Sequence, residues 1–294
     1  MKKILLMSLL LMELVARPFC IEAHAAESYK GFVKDIIVNK TSESFSPIAV
    51  KNEISYQSLL ASNTTLASHW DLMSNNIKAD SIVVIPIQGA VLKNDYCGTI
   101  GTKTISRLAS LAADNPNVKG ILLYVDSPGG AAFGTAEAST TLYNVSRNLP
   151  IVTYCDNMMA SAAMWLGSSS NHIIANKNDF TLVGSIGTYM MIELRGANDP
   201  VILTIYADAS TEKNQEVRAI IEDPKATDLI RQNIINPLND TFLSAMARNR
   251  YGRINKELTS TGKTFQGKDA VKVGLVDALG TVQDAIDKIN ELAA

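Results

Sequence analysis

Residues 121–130, ILLYVDSPGG, place a run of five apolar residues directly before Asp126-Ser127 and a Pro-Gly-Gly sequence that is typical of a turn. Such a run is typical of a strand that is buried on both faces of a parallel sheet. Glycines after the strand leave backbone N–H groups uncovered, and the N-terminus of a following helix favours negative charge. Gly129 and Gly130 are therefore candidate donors to an oxyanion, although Pro-Gly-Gly taken alone is more often an ordinary tight turn.

Strand and helix patterns alternate around this stretch, which predicts parallel β-α-β units and an α/β fold whose ligands collect at the carboxyl ends of the strands. We predict that residues 79–294 form this domain and that residues 1–78 are a helical extension and linker. The predicted strands cover 81–87, 118–125, 150–154 and 172–175, and the predicted helices cover 102–114, 135–147, 160–166, 223–250, 267–276 and 281–292.

The first 25 residues allow two interpretations. A basic start, an apolar run and small residues at 23–25 resemble a secretory signal peptide. Glu13 and Arg17 interrupt that run, which is shorter than the roughly 20 residues that span a bilayer. The alternative is an amphipathic helical segment, continued over 21–38, that packs on the main domain or on a sister subunit.

Composition excludes several classes of protein. The chain has 294 residues, of which 47% are hydrophobic and 19% are charged, so it can bury a core. Wholesale disorder and a multi-span membrane protein are excluded. With 27 basic and 29 acidic residues, the chain has no basic excess for nucleic acid. Its cysteines and histidines lie too far apart for a local metal motif, and we expect neither a metal nor a cofactor.

Ser161 is a candidate nucleophile, because it lies among small residues between a predicted strand and a short apolar helix. A simple helix cap is the ordinary alternative. No histidine occupies a companion motif, so a Ser-His-Asp triad lacks support. A lysine acts as a base where burial depresses its pKa, and Lys213 is the best candidate, although most lysines are solvated. Ser185, in a glycine-flanked loop, is a candidate hydroxyl for orienting the amine.

These segments, in this order, resemble the S49 serine peptidases, the family of the protease IV type signal peptide peptidases and of related phage prohead proteases. The similarity runs from about Ser81 to Leu292. The segments that carry it are the strand ending in Pro86-Ile87-Gln88-Gly89, Asp126-Ser127-Pro128-Gly129-Gly130, Ala160-Ser161-Ala162-Ala163, Gly184-Ser185-Ile186-Gly187, Ser210 to Asn214, and Gly262 to Gly280.

The resemblance implies a ClpP/crotonase-like spiral of β-β-α units with a Ser/Lys dyad. Ser161 then stands for the nucleophile, Lys213 for the general base and the Gly129-Gly130 backbone for part of the oxyanion hole, with Ser185 positioning the lysine. Many members carry Ser-Gly-Gly where this chain has Ser161-Ala162-Ala163, which makes the local backbone less permissive. Phe19–Ile21 stand where phage-type members carry an aromatic-x-Ile pair before the next helix.

We therefore expect a serine endopeptidase that cleaves signal peptides or phage scaffold and capsid proteins. The expected partners are a polypeptide substrate and further copies of the chain in a homo-oligomer. A location in the cytoplasm or in a phage prohead is favoured, with export or membrane association through residues 1–25 as the alternative. Two other functions stay open: a crotonase-like acyl-CoA enzyme, and a catalytically silent assembly protein on the same fold.

Overall fold

A computed structural model describes residues 19–21, 65–95, 99–177, 180–190, 212 and 215–294. Within these ranges, no helix has the length and apolar character that crossing a membrane requires. The strands are β1 (Phe19–Ile21), β2 (Leu66–Ser68), β3 (Ser81–Val91), β4 (Val118–Ala131), β5 (Ile151–Ala160), β6 (His172–Asn176), β7 (Leu182–Gly184), β8 (Thr264–Gln266) and β9 (Ala278–Gly280). The helices are α1 (His69–Met73), α2 (Thr102–Asp114), α3 (Thr135–Val145), α4 (Ala162–Gly167), α5 (Gln215–Glu222), α6 (Asp228–Ile230), α7 (Asn236–Asn249), α8 (Lys256–Thr259), α9 (Gly267–Lys272) and α10 (Val282–Ala293), with a π-helical stretch, Arg231–Ile235, between α6 and α7.

The main sheet grows in chain order. Its strands follow the order β2-β3-β4-β5-β6-β9, and each neighbouring pair is parallel. The end of β5 remains paired with β4 at Met159, while its other edge pairs with β7, which in turn pairs antiparallel with β8. Successive strands that are each added beside the last produce the spiral of α/β units, so the predicted fold class is confirmed.

Both faces of the sheet are covered, which explains why its strands are continuous apolar runs. Val83 and Ile85 of β3 point into the larger core, which also receives residues of α2, α3, α4 and α7. The alternate residues Ile82 and Val84 point to the opposite face, where Ile286 of α10 packs against them. A strand that is buried on both sides needs no polar alternation, because neither set of side chains meets water.

The main differences from the sequence prediction lie at strand ends and in short strands. Strand β4 runs to Ala131 rather than ending at 125, and β5 runs to Ala160 rather than ending at 154. Helix α4 therefore begins at Ala162, not at 160. The helix predicted over 223–250 is α6, the π-helical stretch and α7, and α5 precedes it as a separate helix that the sequence pattern did not indicate. Strands of three residues depend on distant partners and leave little local pattern.

A buried ion pair ties the end of α7 to the segment before β9. The side chain of Arg250 is fully buried, and two of its nitrogens each donate to an oxygen of Asp277 at 2.9 Å. The guanidinium also donates to the carbonyl oxygen of Gly274, and Asp277 accepts the N–H of Ile173 at 2.8 Å. Burial raises the pKa of Asp277, but the hydrogen bonds and the charges of Arg250 and Arg253 outweigh it, so the net pKa is lowered.

We expect Arg250→Met to lower the free energy of unfolding by about 3–5 kcal/mol, because it leaves a buried carboxylate without its main partner. Urea unfolding followed by circular dichroism measures this. Arg253→Met is the matched control: Arg253 contacts the same carboxylate at 3.1 Å but is half exposed, so its loss should cost under about 1 kcal/mol. An equal decrease in the free energy of unfolding of the two variants would show that Arg250 is not the main partner of Asp277.

The same pair should make stability depend on pH in acid. Because the pKa of Asp277 is lowered in the folded state, its contribution is present above the unfolded pKa of about 3.9 and is lost as pH falls through the folded value. The difference between the wild type and Arg250→Met should therefore shrink below about pH 4.

Candidate active site

Four of the five predicted site residues, all but Lys213, lie near one edge of the sheet, towards the ends of β4, β5 and β7. Ser127 of β4 lies opposite Met159 of β5, and Ala160 lies opposite Gly184 of β7. Ser161 and Ser185 come directly after the second pair, and Gly129 comes two residues after Ser127. Three of the predicted segments are thus adjacent in space, as parallel strands with a common carboxyl edge require.

Ser161 lies on a sharp strand-to-helix turn. Its backbone has φ 55° and ψ −119°, a conformation that favours glycine, yet it carries a side chain. The N–H of Ser161 donates to the carbonyl oxygen of Gly184 at 2.7 Å, and its carbonyl oxygen accepts the N–H of Trp165 at 2.9 Å. Strain of this kind is retained when its surroundings enforce it, and it is typical of turns that present a nucleophilic serine.

The hydroxyl of Ser161 has no structural task in the described part of the chain. The residue is 1% exposed, and its Oγ makes no hydrogen bond to any described residue. Although Ser161 directly precedes α4, its side chain does not cap that helix. The ordinary cap interpretation is therefore contradicted. A buried hydroxyl without a partner is unfavourable and marks a position where function is a better explanation than stability.

Two glycines shape the neighbouring end of β4. Gly129 has φ 97°, and its N–H donates to the Oγ of Ser127 at 3.2 Å. That hydroxyl donates in turn to the carbonyl oxygen of Gly89 at 2.6 Å. At Gly130, a Cβ would lie 2.0 Å from the carbonyl oxygen of Val91, so no side chain fits there. The turn and helix start that the sequence indicated here are not observed: Gly129 and Gly130 lie within β4, the next helix begins at Thr135, and the Gly129 N–H is already bonded to Ser127.

A further backbone donor lies beside Ser161. The first N–H groups of a helix have no partner within it, and in α4 the first such bond is made by Trp165. The N–H of Ala162 directly follows the serine and is a candidate oxyanion donor. No feature of the sequence indicated this donor, because its role depends on the geometry of the turn at Ser161.

Ser185 is held in a second unusual turn. It has φ 52°, follows Gly184 at φ 117°, and donates its N–H to the carbonyl oxygen of Lys263 at 2.9 Å. Because the Gly184 carbonyl oxygen holds the N–H of Ser161, the two serine turns are directly linked. Lys213, the predicted base, lies outside the described residues, between Glu212 and Gln215.

Other groups near the site have chemistry that limits their roles. Burial raises the pKa of the Cys155 thiol, and nearby Asp126 and Asp156 raise it further. Cys155 is therefore protonated and is a poor nucleophile at neutral pH. Over the described ranges, no cluster of His, Cys, Asp and Glu is arranged to hold a metal ion.

Comparison with known proteins relates the chain to proteases. The family model of peptidase family S49 matches residues 144–294. The chain is 32% identical over 197 residues to a proposed protease of Methanocaldococcus jannaschii, covering 64% of this chain and 60% of that protein. It is 26% identical over 268 residues to protease 4 of Haemophilus influenzae, covering 90% and 43%. It is 24% identical over 216 residues to capsid assembly protease C of Escherichia phage lambda, covering 70% and 48%. The chain thus spans between 43% and 60% of the length of these relatives.

Proposed function

The chain belongs to peptidase family S49, as its sequence predicted, and on that premise we propose that it hydrolyses peptide bonds with Ser161 as the nucleophile. The observation that carries the proposal is the hydroxyl of Ser161, which is buried and unpartnered among the described residues on a strained turn. It lies at the carboxyl edge of the sheet, beside the glycines of β4, where the Val91 backbone leaves no room for a side chain at Gly130.

The proposed reaction proceeds through an acyl-enzyme. The Oγ of Ser161 attacks the scissile carbonyl carbon while its proton passes to the amine of Lys213. Backbone N–H groups at Gly129-Gly130 and at Ala162 stabilise the oxyanion, and the Gly129 N–H exchanges its hydrogen bond to the Ser127 Oγ for this one. The amine then gives its proton to the departing amino group, and the C–N bond breaks. A water molecule loses a proton to Lys213 and attacks the ester. Lys213 then returns the proton to the Oγ of Ser161 as the ester C–O bond breaks, which releases the acid product and restores the neutral amine.

We assign the positioning of the lysine to Ser185. Its backbone is fixed by Gly184 and Lys263, and Gly184 also holds the N–H of Ser161. A hydroxyl anchored in this way accepts a hydrogen bond from an amine in a constant orientation, which keeps the lone pair of that amine aimed at the nucleophile.

The proposed substrates are extended polypeptides, either signal peptides or phage scaffold and capsid proteins. Relatives of both kinds support this, since they include a proposed signal peptide peptidase of Enterococcus faecium and a capsid assembly protease of phage lambda. We further propose a homo-oligomer, located in the cytoplasm or in a phage prohead rather than exported through residues 1–25.

A serine-directed fluorophosphonate separates this function from its rivals. We expect stoichiometric labelling of native protein, with the adduct mapped to Ser161 by mass spectrometry and absent from Ser161→Ala. Acyl-CoA enolate chemistry and a silent assembly role need no nucleophilic serine and predict no labelling. Heat-denatured protein is the control for nonspecific reaction. An adduct at Ser185, or none in native protein, would contradict the proposal.

A further inference from the structure

Strand β1 lies against the part of β4 that contains Gly129 and Gly130. It pairs antiparallel with β4, with Phe19 opposite Ala131, Cys20 opposite Gly130 and Ile21 opposite Gly129. The β4 residues in this pairing carry little or no side chain, so the contact is available through the main chain. Any extended segment of suitable direction can bind such an edge by adding a strand.

The pairings of β4 determine on which side β1 lies. Strand β3 follows β4 as far as Val91, which lies opposite Gly130. Since β1 pairs with the same glycine, it must occupy the other edge of β4. That other edge is used earlier by β5, whose last pair with β4 is Met159 with Ser127. The opposite edge of β5 pairs with β7 over Met158 to Ala160, and β5 makes no pair with β4 after Met159. Strand β1 therefore occupies the edge that β5 vacates just before Ser161.

The direction of β1 leads towards the nucleophile. Because the pairing is antiparallel, β1 runs from a position opposite Ala131 to a position opposite Gly129. Ser127 and Met159 are paired, and Gly129 and Ser161 each come two residues after their member of that pair. A substrate attacked by Ser161 must place its acyl side within reach of both the serine and the oxyanion donors, and this edge meets that requirement. The segment 19–21 thus lies where the acyl side of an extended substrate would lie.

We propose that β1 is an intramolecular occupant of the substrate edge, which a peptide must displace before hydrolysis begins. This inference rests on the proposed function. Three residues supply few hydrogen bonds, so the occupied state is one with which a substrate can compete. The near-complete burial of Ser161 agrees with a site that is closed in this state. Occupation lowers the fraction of molecules that are competent to bind, which raises KM without changing kcat.

A reversible crosslink tests the occupied state. Phe19→Cys and Ala131→Cys are combined in a Cys20→Ser background, since directly opposed strand residues lie close enough for a disulfide. We expect oxidation to reduce cleavage of an unstructured protein about tenfold or more, and dithiothreitol to restore it. The two single-cysteine variants should not respond. Full activity of the oxidised protein, or failure of the disulfide to form, would overturn the inference.

A proline scan of β1 tests release in the full chain without a crosslink. Successive N–H groups of a strand point to opposite edges. In β1, the N–H groups that face β4 are therefore either that of Cys20 or those of Phe19 and Ile21, and proline removes the donor only at such a position. We expect KM to fall about threefold to tenfold at the positions that face β4, with kcat unchanged. Cys20→Ala keeps the main chain intact and should match the wild type.

The two proposals fail in different ways. Normal Ser161-dependent hydrolysis with the same KM in every proline variant would overturn the role of β1 alone. Absence of hydrolysis and of serine labelling in all variants would overturn the peptidase function itself.

Discussion

Ser161→Ala should reduce peptide hydrolysis at least about 10³-fold, because the reaction loses its nucleophile and retains only backbone donors and substrate binding. The free energy of unfolding should be unchanged or slightly higher. The hydroxyl that is removed is buried and has no hydrogen-bond partner among the described residues, so its loss relieves a desolvation cost. Turnover of an unstructured protein and urea unfolding, measured on the same preparation, check both halves of the prediction.

Ser139→Ala provides the reciprocal control. The hydroxyl of Ser139 is also buried, but it lies 2.8 Å from that of Ser169 and accepts from Asn249 at 3.3 Å. Its removal should lower the free energy of unfolding by about 1 kcal/mol and leave kcat unchanged. Retention of activity in Ser161→Ala, or an equal activity loss in both variants, would show that Ser161 is not the nucleophile.

The sequence pattern predicted the bounds of an element correctly where residues at its own ends start and stop it. Helix α2 occupies 102–114 as predicted, because an amphipathic repeat ends at Asn115-Pro116, where a helix is disfavoured. The end of β4 was not predictable in this way. Pro128-Gly129-Gly130 has the composition of a turn, yet it stays extended because β3 and β1 pair with it from both sides. Those partners lie about 40 and 110 residues earlier in the chain.

The order of the segments predicted which residues form the candidate site. It did not predict the strained backbone conformation of Ser161. The residue types of Ala160-Ser161-Ala162 do not indicate a positive φ. The positive φ arises because the carbonyl oxygen of Gly184 accepts the N–H of Ser161 while Ala160 is still paired in the sheet. The N-terminal prediction has a similar limit. The helix proposed over 21–38 lies outside the described residues apart from Ile21, which belongs to β1. An antiparallel pairing with so distant a partner leaves no periodic pattern in three residues.

Lys213→Met should lower kcat about 10²- to 10⁴-fold, the range that general acid–base catalysis contributes. Methionine keeps much of the length of the side chain but has no amine to accept the proton of Ser161. Lys213→Arg should be equally inactive, because arginine keeps the positive charge and is protonated throughout the working range. This pair of variants separates a proton-accepting role from a charge that merely stabilises the fold, and kcat with a short peptide measures it.

The pH dependence of kcat/KM, measured for variants of Lys213 and of Lys263, identifies which lysine is the base. Only the uncharged amine accepts a proton, so wild-type kcat/KM should fall as pH falls, and Lys213→Met should lose this acidic limb. Lys263 is the matched control: its carbonyl oxygen accepts the N–H of Ser185, while its ammonium lies 5.2 Å from the centre of the Phe265 ring. Lys263→Met keeps the backbone contact and should retain activity within about twofold, because it removes only a partly solvated cation–π contact. If Lys263→Met instead loses both activity and the acidic limb while Lys213→Met keeps them, then the base of the reaction is Lys263.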